Sequence, residues 1–518
     1  MLIITSKKSV VLKVKDPNRI ATVIPTAKVF NFKGSTLVAV PHRIDETRVL
    51  RNMGFSVPAP VNYYYEWPGM FPPFDVQRKT VDFLALNPRG FCLNGMGSGK
   101  TMATLWAFDY LRSQGKATRL IVSAPLSTLE RTWADQIFSN FPHLEYAVLH
   151  GSREKRLKLL KQPADVYLIN HHGVEIISDA LAERPDIDIV AIDEIAQAAR
   201  NAGTAMWKAH NKVCNKQHAR QVWGLTGTPT PNAPTDAWAQ CRLISPTSVP
   251  PYFNRFRDMV MRQAGPFTWI PKANASDLVK EVMQPAIRFS LEDCVDLPEC
   301  IYQTRQVDLT AAQQKAYKEM MTRLKIEAEN GEVLAVNEAV KVSKLVQIAC
   351  GVAYSSDGQE VTLDAKPRLN VVHEIIEEAG SKTIVFVPFV SSVGLVVEFL
   401  RSKGLTVECI YGDVSKNERD QILSAFQKTK DPQVLVAIPS TMSHGLSLTA
   451  ANTIVWYAPI FSADVYEQAC ARVRRPGQKH AQLIVNVEGS PVERRIYEVL
   501  SRKRTAQNIL LELVRDVE

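Results

Sequence analysis

The stretch FCLNGMGSGKT, Phe91 to Thr101, decides the reading of this chain. It closes an apolar, strand-like run and leads into MATLWAFDYL, which reads as helix. Gly95, Gly97 and Gly99 let the main chain approach a phosphate, and the helix start that follows offers free N–H groups to it. In that frame Ser98 belongs to the cradle, Lys100 reaches the β/γ-phosphates of ATP, and Thr101 ligates Mg2+. The strict GxxxxGK[ST] spacing asks for glycine at position 94, where the chain has Asn94. The competing reading is a glycine-rich turn that binds nothing. The strand–loop–helix context argues against it.

The partner of this cradle lies downstream, in IVAIDEIAQAAR (189–200). Four apolar residues end at Asp193 and Glu194, the tip of an expected buried strand. Asp193 can hold Mg2+ through water and Glu194 can activate the attacking water. Around these two motifs the chain alternates helices with short continuous apolar runs: RLIVSAP, DVYLIN and VWGLTG in the first half, then KTIVFVPF, TVECIYG, QVLVAI, TIVWYAP and QLIVNV from about residue 366. Runs of that kind predict parallel strands buried on both faces, with function at their C-terminal ends. The expected fold class is α/β, with two parallel-sheet lobes. Residues 1–66 read as a small β-rich module, 67–244 as the first lobe, 245–365 as a helical insert and interlobe linker, and 366–518 as the second lobe with a closing helix. Proline at 58, 60, 68, 72 and 73 marks a stiff connector.

The 518 residues carry a net charge of +9, which favours a polyanionic partner. The eight cysteines are scattered without CxxC spacing, so reduced thiols of a cytosolic-type compartment are expected. MLIITSKKSVVLKVKD has no apolar leader core, and no run approaches the length of a membrane span.

At LTGTPTPN (225–232) the chain resembles the superfamily-2 helicase-related ATPases of the Swi/Snf type, and the family's motifs follow in order over roughly residues 70 to 515. The resemblance implies RecA-like lobes and an adenine contact by Gln77 in PFDVQRKTVDFL. NGMGSGKT stands where the family has DEMGLGKT, with Asn94 and Gly95 replacing its acidic pair. SAPLSTLERTW (123–133) is similar to the first DNA-contact motif and LINHHGV to the strand-end motif after it. LTGTPTPN corresponds to the coupling motif, implicating Thr226, Gly227, Thr228 and Asn232. In the second lobe the matches are IVFVPF, YGDVSKNERDQILSAF, STMSHGLSLTAANTIVWYAP and QACARVRRPGQ. DLPECIYQTRQVDLTAAQQKAY (296–317) resembles the family's interlobe segment. The layout is most similar to small annealing-helicase (HARP-like) and phage or bacterial members.

The family spacing implies that Arg472 and Arg475 stabilise the transition state from the second lobe, that Gln468 sits at the lobe interface, and that Gly445 approaches ligand. Arg474 falls between the matched positions. Expected phosphate contacts are Ser127, Thr128 and Arg131 in the first lobe and Lys382, Arg419 and Thr449 in the second. One departure stands out: Ala196 replaces the polar fourth residue of the DEAH box, with Gln197, Thr226 or Thr228 as candidate substitutes. The N-terminal module interleaves Lys7, Lys8, Lys13, Lys15, Lys28 and Lys33 with Phe30, Phe32 and Tyr63–Tyr65, a mix suited to nucleic acid and equally to a plain basic face.

The expected function is an ATP- and Mg2+-dependent DNA translocase that remodels, reanneals or branch-migrates replication, repair or recombination intermediates. The expected partner is duplex, forked or branched DNA, bound by a monomer away from membranes, in a bacterial or phage-infected cell, or in a nucleus if the source is eukaryotic. The alternatives are a strand-separating DNA or RNA helicase, and a DNA-binding scaffold with an uncoupled ATP site.

Overall fold

The computed structural model describes residues 1–215, 220–265, 268–290, 293, 298–329, 335–354, 360–442, 448–475 and 477–501. It divides into two compact units, Met1–Val295 and Asp296–Glu518.

The first unit begins with a four-stranded antiparallel sheet in the order β1 (Leu2–Ile4), β2 (Ser9–Leu12), β4 (Ser35–Pro41), β3 (Lys28–Phe32). Alternation puts Val10, Leu12, Val38 and Val40 on one face, where Ile20, Ile24 and Leu50 cover them. Asp16 caps the helix Pro17–Val23 by accepting from Arg19 N at 3.0 Å. Lys33 and Gly34 turn β3 into β4 with φ of 47° and 75°, a mirror-type hairpin turn whose twist suits the flanking strands.

This module is fastened to the lobe behind it. Arg48 donates to the carbonyls of Leu86 at 2.9 Å and Ala85 at 2.8 Å, the open C-terminal end of helix Asp75–Leu86. Arg51 pairs with Asp82 at 2.9 Å on the same helix. The proline-marked connector lies against helix Lys100–Ser113: Tyr65 Oη donates to Asp109 at 2.7 Å, and Trp106 Nε1 to Pro68 O at 2.7 Å.

The main sheet of this unit is parallel and seven-stranded: β13 (Ala286–Ile287), β5 (Arg89–Cys92), β10 (Gln221–Leu225), β9 (Ile187–Asp193), β6 (Arg119–Ala124), β8 (Val166–Asn170), β7 (Tyr146–Val148). Leu225 stands opposite both Cys92 and Asp193, so the C-terminal ends of the central strands share one edge. Helices Phe253–Val260 and Ala275–Val282 and the hairpin β11 (Met261–Gln263)/β12 (Trp269–Pro271) pack on this lobe's core through Phe256, Val260, Met261 and Val279. β13 then adds an edge strand, extended by Leu93 N to Ile287 O at 2.8 Å and Gly95 N to Phe289 O at 2.8 Å.

The second unit has a six-stranded parallel sheet: β14 (Cys300–Gln306), β21 (Gln482–Glu488), β20 (Ala451–Trp456), β17 (Lys382–Phe386), β19 (Val434–Ala437), β18 (Val407–Ile410). A hairpin, β15 (Val352–Tyr354)/β16 (Glu360–Thr362), stands apart from it. The closing helix is described over Pro491–Ser501 and is tied in by a fully buried ion pair, Arg368 to Glu493 at 2.8 Å. Glu493 Oε2 also accepts from Gly489 N at 2.9 Å and Ser490 Oγ at 3.0 Å.

The segment 245–365, expected as one helical insert, is therefore divided. Its first part, to residue 290, completes the first lobe. Residues 300–306 form an edge strand of the second sheet, fully in register with β21. Both edge strands bury backbone groups that the neighbouring strand would otherwise leave open.

Candidate functional site

The glycine loop leaves β5 at the C-terminal edge of the first sheet. Gly97 and Gly99 have φ of 77° and 80°, a region that side chains with a Cβ rarely adopt. At Gly99 a Cβ would also lie 2.0 Å from Gln77 Nε2. Gln77 is the third residue of helix Asp75–Leu86, and its Oε1 accepts from Phe74 N at 2.9 Å, so the carboxamide is fixed against the loop. Lys100 opens the next helix, and its ammonium donates back to Asn94 O at 2.9 Å and Gly95 O at 3.3 Å. Thr101, half-buried, shares this first turn, whose N–H groups have no intrahelical acceptor. Ser98 Oγ is buried with no hydrogen-bond partner among the described residues. An unmet hydroxyl, a glycine cradle and an ammonium at a helix start fit a triphosphate with its divalent cation.

Asn94 has a role the sequence did not disclose. It is buried, donates from Nδ2 to Thr80 Oγ1 at 2.8 Å, and accepts at Oδ1 from Phe289 N at 3.0 Å. Thr80 already gives its proton to Val76 O, at 2.7 Å. An aspartate here would set a carboxylate oxygen against the Thr80 oxygen, acceptor against acceptor, so an amide suits this loop.

Asp193 ends β9 and is buried. Its Oδ2 accepts from Trp133 Nε1 at 3.0 Å and its Oδ1 from Glu194 N at 3.1 Å. Burial raises the carboxyl above its ordinary range, opposed by the indole bond and the charge of Lys100. Glu194 sits at φ 48° and ψ 51°, a left-handed conformation that costs a non-glycine residue roughly 1–3 kcal/mol and is typical of functional sites. Its Oε2 accepts from Thr226 Oγ1 at 3.4 Å. Thr226 in turn accepts from Thr228 N at 3.2 Å, and Gly227 lies beside Met96 of the glycine loop. Of the candidate substitutes for the missing DEAH histidine, Thr226 makes the link, while Gln197 is exposed and Ala196 is buried. Asp236 holds the end of this motif, accepting from the Asn232 backbone at 2.9 Å and its side chain at 3.4 Å.

The loop after β6 carries the expected nucleic-acid contacts. Ser127 is exposed. Thr128 is buried and its hydroxyl donates to Pro125 O at 2.9 Å, which makes it a brace for the turn. Arg131 lies in a π-helical stretch, Leu129–Ala134, and its side chain is outside the described part. Two residues on, the same stretch aims the fully buried Trp133 at Asp193. The signal for this was available, since a buried indole N–H needs an acceptor, but its partner lies far along the chain. Below the loop, Ser123 Oγ joins His171 Nδ1 and His210 Nε2, both at 2.8 Å, and burial lowers His210 to about 4, so it is neutral.

In the second unit the candidates separate. Helix Ala463–Cys470 follows the C-terminal end of β20 and is capped by Ser462. Gln468 is buried and donates to Asp464 Oδ2 at 3.1 Å. Arg472 is buried, and its carbonyl accepts from Leu448 N at 3.0 Å. Arg475 is half-buried, donates from Nε to Ala471 O at 3.3 Å, and is pushed down to about 10 by burial, so it stays cationic. Arg474 is half-buried between them. Gln478 is structural: it donates to Ala451 O at 2.8 Å and Val473 O at 3.2 Å. Arg419 is half-buried, with Nη2 donating to Val414 O at 3.4 Å. Gly445 lies outside the described residues.

Lys382 and Thr449, the other expected phosphate contacts, both have partners within the fold. Lys382 pairs with Ala451 at the N-terminal edge of the sheet, away from the strand ends. Its ammonium donates to Phe426 O and Thr429 O, both at 2.6 Å, and so closes the end of helix Lys416–Lys428. Thr449 Oγ1, just before the same edge, accepts from Gln427 Nε2 at 3.0 Å.

Comparison with known proteins adds to this geometry. The SNF2-related domain matches residues 77–350, and the helicase conserved C-terminal domain matches residues 367–477. The chain is similar to putative protein p41 of a phage of the pea-aphid secondary endosymbiont, 25% identical over 86% of this chain and 99% of that protein. It is similar to the putative ATP-dependent helicase/translocase YwqA of Bacillus subtilis, 23% identical over 83% of this chain and 47% of the relative, so it spans about half of that protein. Among solved structures, Saccharomyces cerevisiae Dbp5 shares the fold, with a TM-score of 0.50 at 13% identity over 86% of this chain and 93% of that one.

Proposed function

The chain belongs to the SNF2-related family, an ATP-dependent helicase-type enzyme, and from that premise we propose that it is a DNA-stimulated translocase acting on duplex DNA. The observation that carries the reading is the joined edge of the first lobe. The exposed Ser127 loop, the buried Trp133 and Asp193 form one continuous path from an exposed loop to the acid pair. Such a path lets a nucleic-acid contact bias the ATP site.

In this reading Lys100 neutralises the β/γ-phosphates, Ser98 and the main chain of Gly95 to Gly99 cradle them, and Gln77 reads the adenine edge. Thr101 and Asp193 would hold Mg2+, which would supply charge neutralisation on the phosphates. Glu194 accepts the proton of the attacking water, and its bond from Thr226 orients the carboxylate and ties it to the motif that ends at Asn232. Arg472 and Arg475 supply cationic charge to the transition state from the second lobe, with Gln468 beside them. Ser127, whose side chain is exposed, contacts phosphate from the first lobe. Remodelling or branch migration of replication, repair or recombination intermediates is the expected use. The link from Thr226 to Glu194 speaks against an uncoupled ATP site.

The test is ATP turnover without nucleic acid and with duplex, single-stranded and forked DNA and RNA, with Lys100→Ala as the control. Stimulation by duplex or forked DNA, absent in the variant, supports the proposal. Turnover indifferent to every nucleic acid overturns it.

A further inference from the structure

Among the described residues, no element covers the second face of the N-terminal sheet at its β3 edge. There β3 pairs with β4 alone, and all five of its residues are exposed. Period-two alternation sets Lys28, Phe30 and Phe32 on one side, and their β4 partners are Ala39, Leu37 and Ser35. The opposite side of β4, through Val38 and Val40, is the one packed on Ile20 and Ile24. Phe30 and Phe32 remain 38% and 56% exposed, although burying an aromatic ring is the usual outcome of folding. Lys33 stands over the Phe32 ring at 5.6 Å. Lys13 and Lys15, both exposed, emerge just past Leu12, which pairs with Val38.

We propose that this face is a stacking platform for an unpaired strand of DNA. Alternate residues of a strand are about 6.8 Å apart, and stacked bases rise about 3.4 Å each. The gap between the two phenylalanines is thus the thickness of one inserted base. Lysines around apolar rings are the surface that takes up a single strand, with bases on the rings and phosphates on the ammonium groups. Charge selects this occupant over a protein strand: residues 1–66 hold ten Lys and Arg against four Asp and Glu, two thirds of the chain's net +9. The face is held rigidly to the first lobe through Arg48, Arg51 and Tyr65. A strand bound here therefore has a fixed position relative to the edge that carries Ser127. The inference adds a second nucleic-acid contact to the duplex translocase and does not depend on it.

The test measures binding of fluorescent oligo(dT) and of a duplex of equal length to the full chain without nucleotide. Phe30→Ala/Phe32→Ala should lose about tenfold or more in oligo(dT) affinity, with duplex affinity and duplex-stimulated turnover retained. Phe30→Tyr/Phe32→Tyr should restore it. Lys28→Gln/Lys33→Gln should instead flatten the salt dependence. Unchanged oligo(dT) affinity in the alanine variant overturns the inference, and so does an equal loss for duplex. So does a change of sedimenting species without a change in oligo(dT) binding, which would make the face a contact between copies. A wild-type chain whose turnover ignores duplex DNA would count against the translocase and leave this test intact.

Discussion

The two parallel sheets carry their candidate residues in different ways. In the first lobe four candidate residues are held by another side chain or by a loop carbonyl: Lys100 by Asn94 and Gly95, Asp193 by Trp133, Glu194 by Thr226, and Asn232 by Asp236. In the second lobe, several hydrogen-bonded side chains serve the fold. Lys382 closes a helix, Thr449 meets Gln427, and Gln478 pins a turn. The lesson is that the first lobe's candidate residues are braced in advance, whereas the second lobe carries its candidate arginines on a short helix exit.

The sharpest way to break that contrast is Arg475→Ala. Turnover should fall by about a thousandfold or more, with nucleotide and DNA affinities little changed, as single-turnover and equilibrium binding would show. Turnover that survives while DNA affinity collapses would assign the arginine to nucleic acid. Next is Trp133→Phe, which removes a bond to a buried carboxylate. Such bonds are worth about 1.5–3 kcal/mol, so Mg2+-dependent nucleotide binding should weaken roughly 10- to 100-fold. Binding in EDTA should hold. Equal loss in both conditions would reduce Trp133 to packing and take the prebuilt character from the first lobe. The smallest effect belongs to Lys382→Met. DNA affinity and turnover should match wild type, with melting lowered by no more than about 4 °C, the loss of a helix-end cation being worth about 1 kcal/mol at most. A clear loss of DNA affinity would restore Lys382 to the nucleic-acid track.

What the sequence made legible is what is local. The glycine loop, the acid pair and the apolar runs are each contiguous, and parallel strands send their C-terminal ends to one edge, so both lobes and the nearness of the loop to the acid pair could be read directly. Contacts across the fold were not. Asn94 reads as a flaw in a motif until Thr80 and Phe289 are seen beside it. β13 is two residues long and has no pattern of its own, so its place beside β5 could not be anticipated. Lys382 could have been placed better, because it starts its strand, and the start of a parallel strand faces away from the site.

The π stretch Leu129–Ala134 has a consequence for chain length. It winds wider than an α-helix and so carries an additional residue within its turn. Deleting one residue there would leave a regular helix, but each residue turns a helix by about 100°. Trp133 would swing away, and Asp193 would be buried without its donor. In this segment a gap of one is a graver change than most substitutions, so alignments of related chains should keep its register fixed and let insertions fall elsewhere.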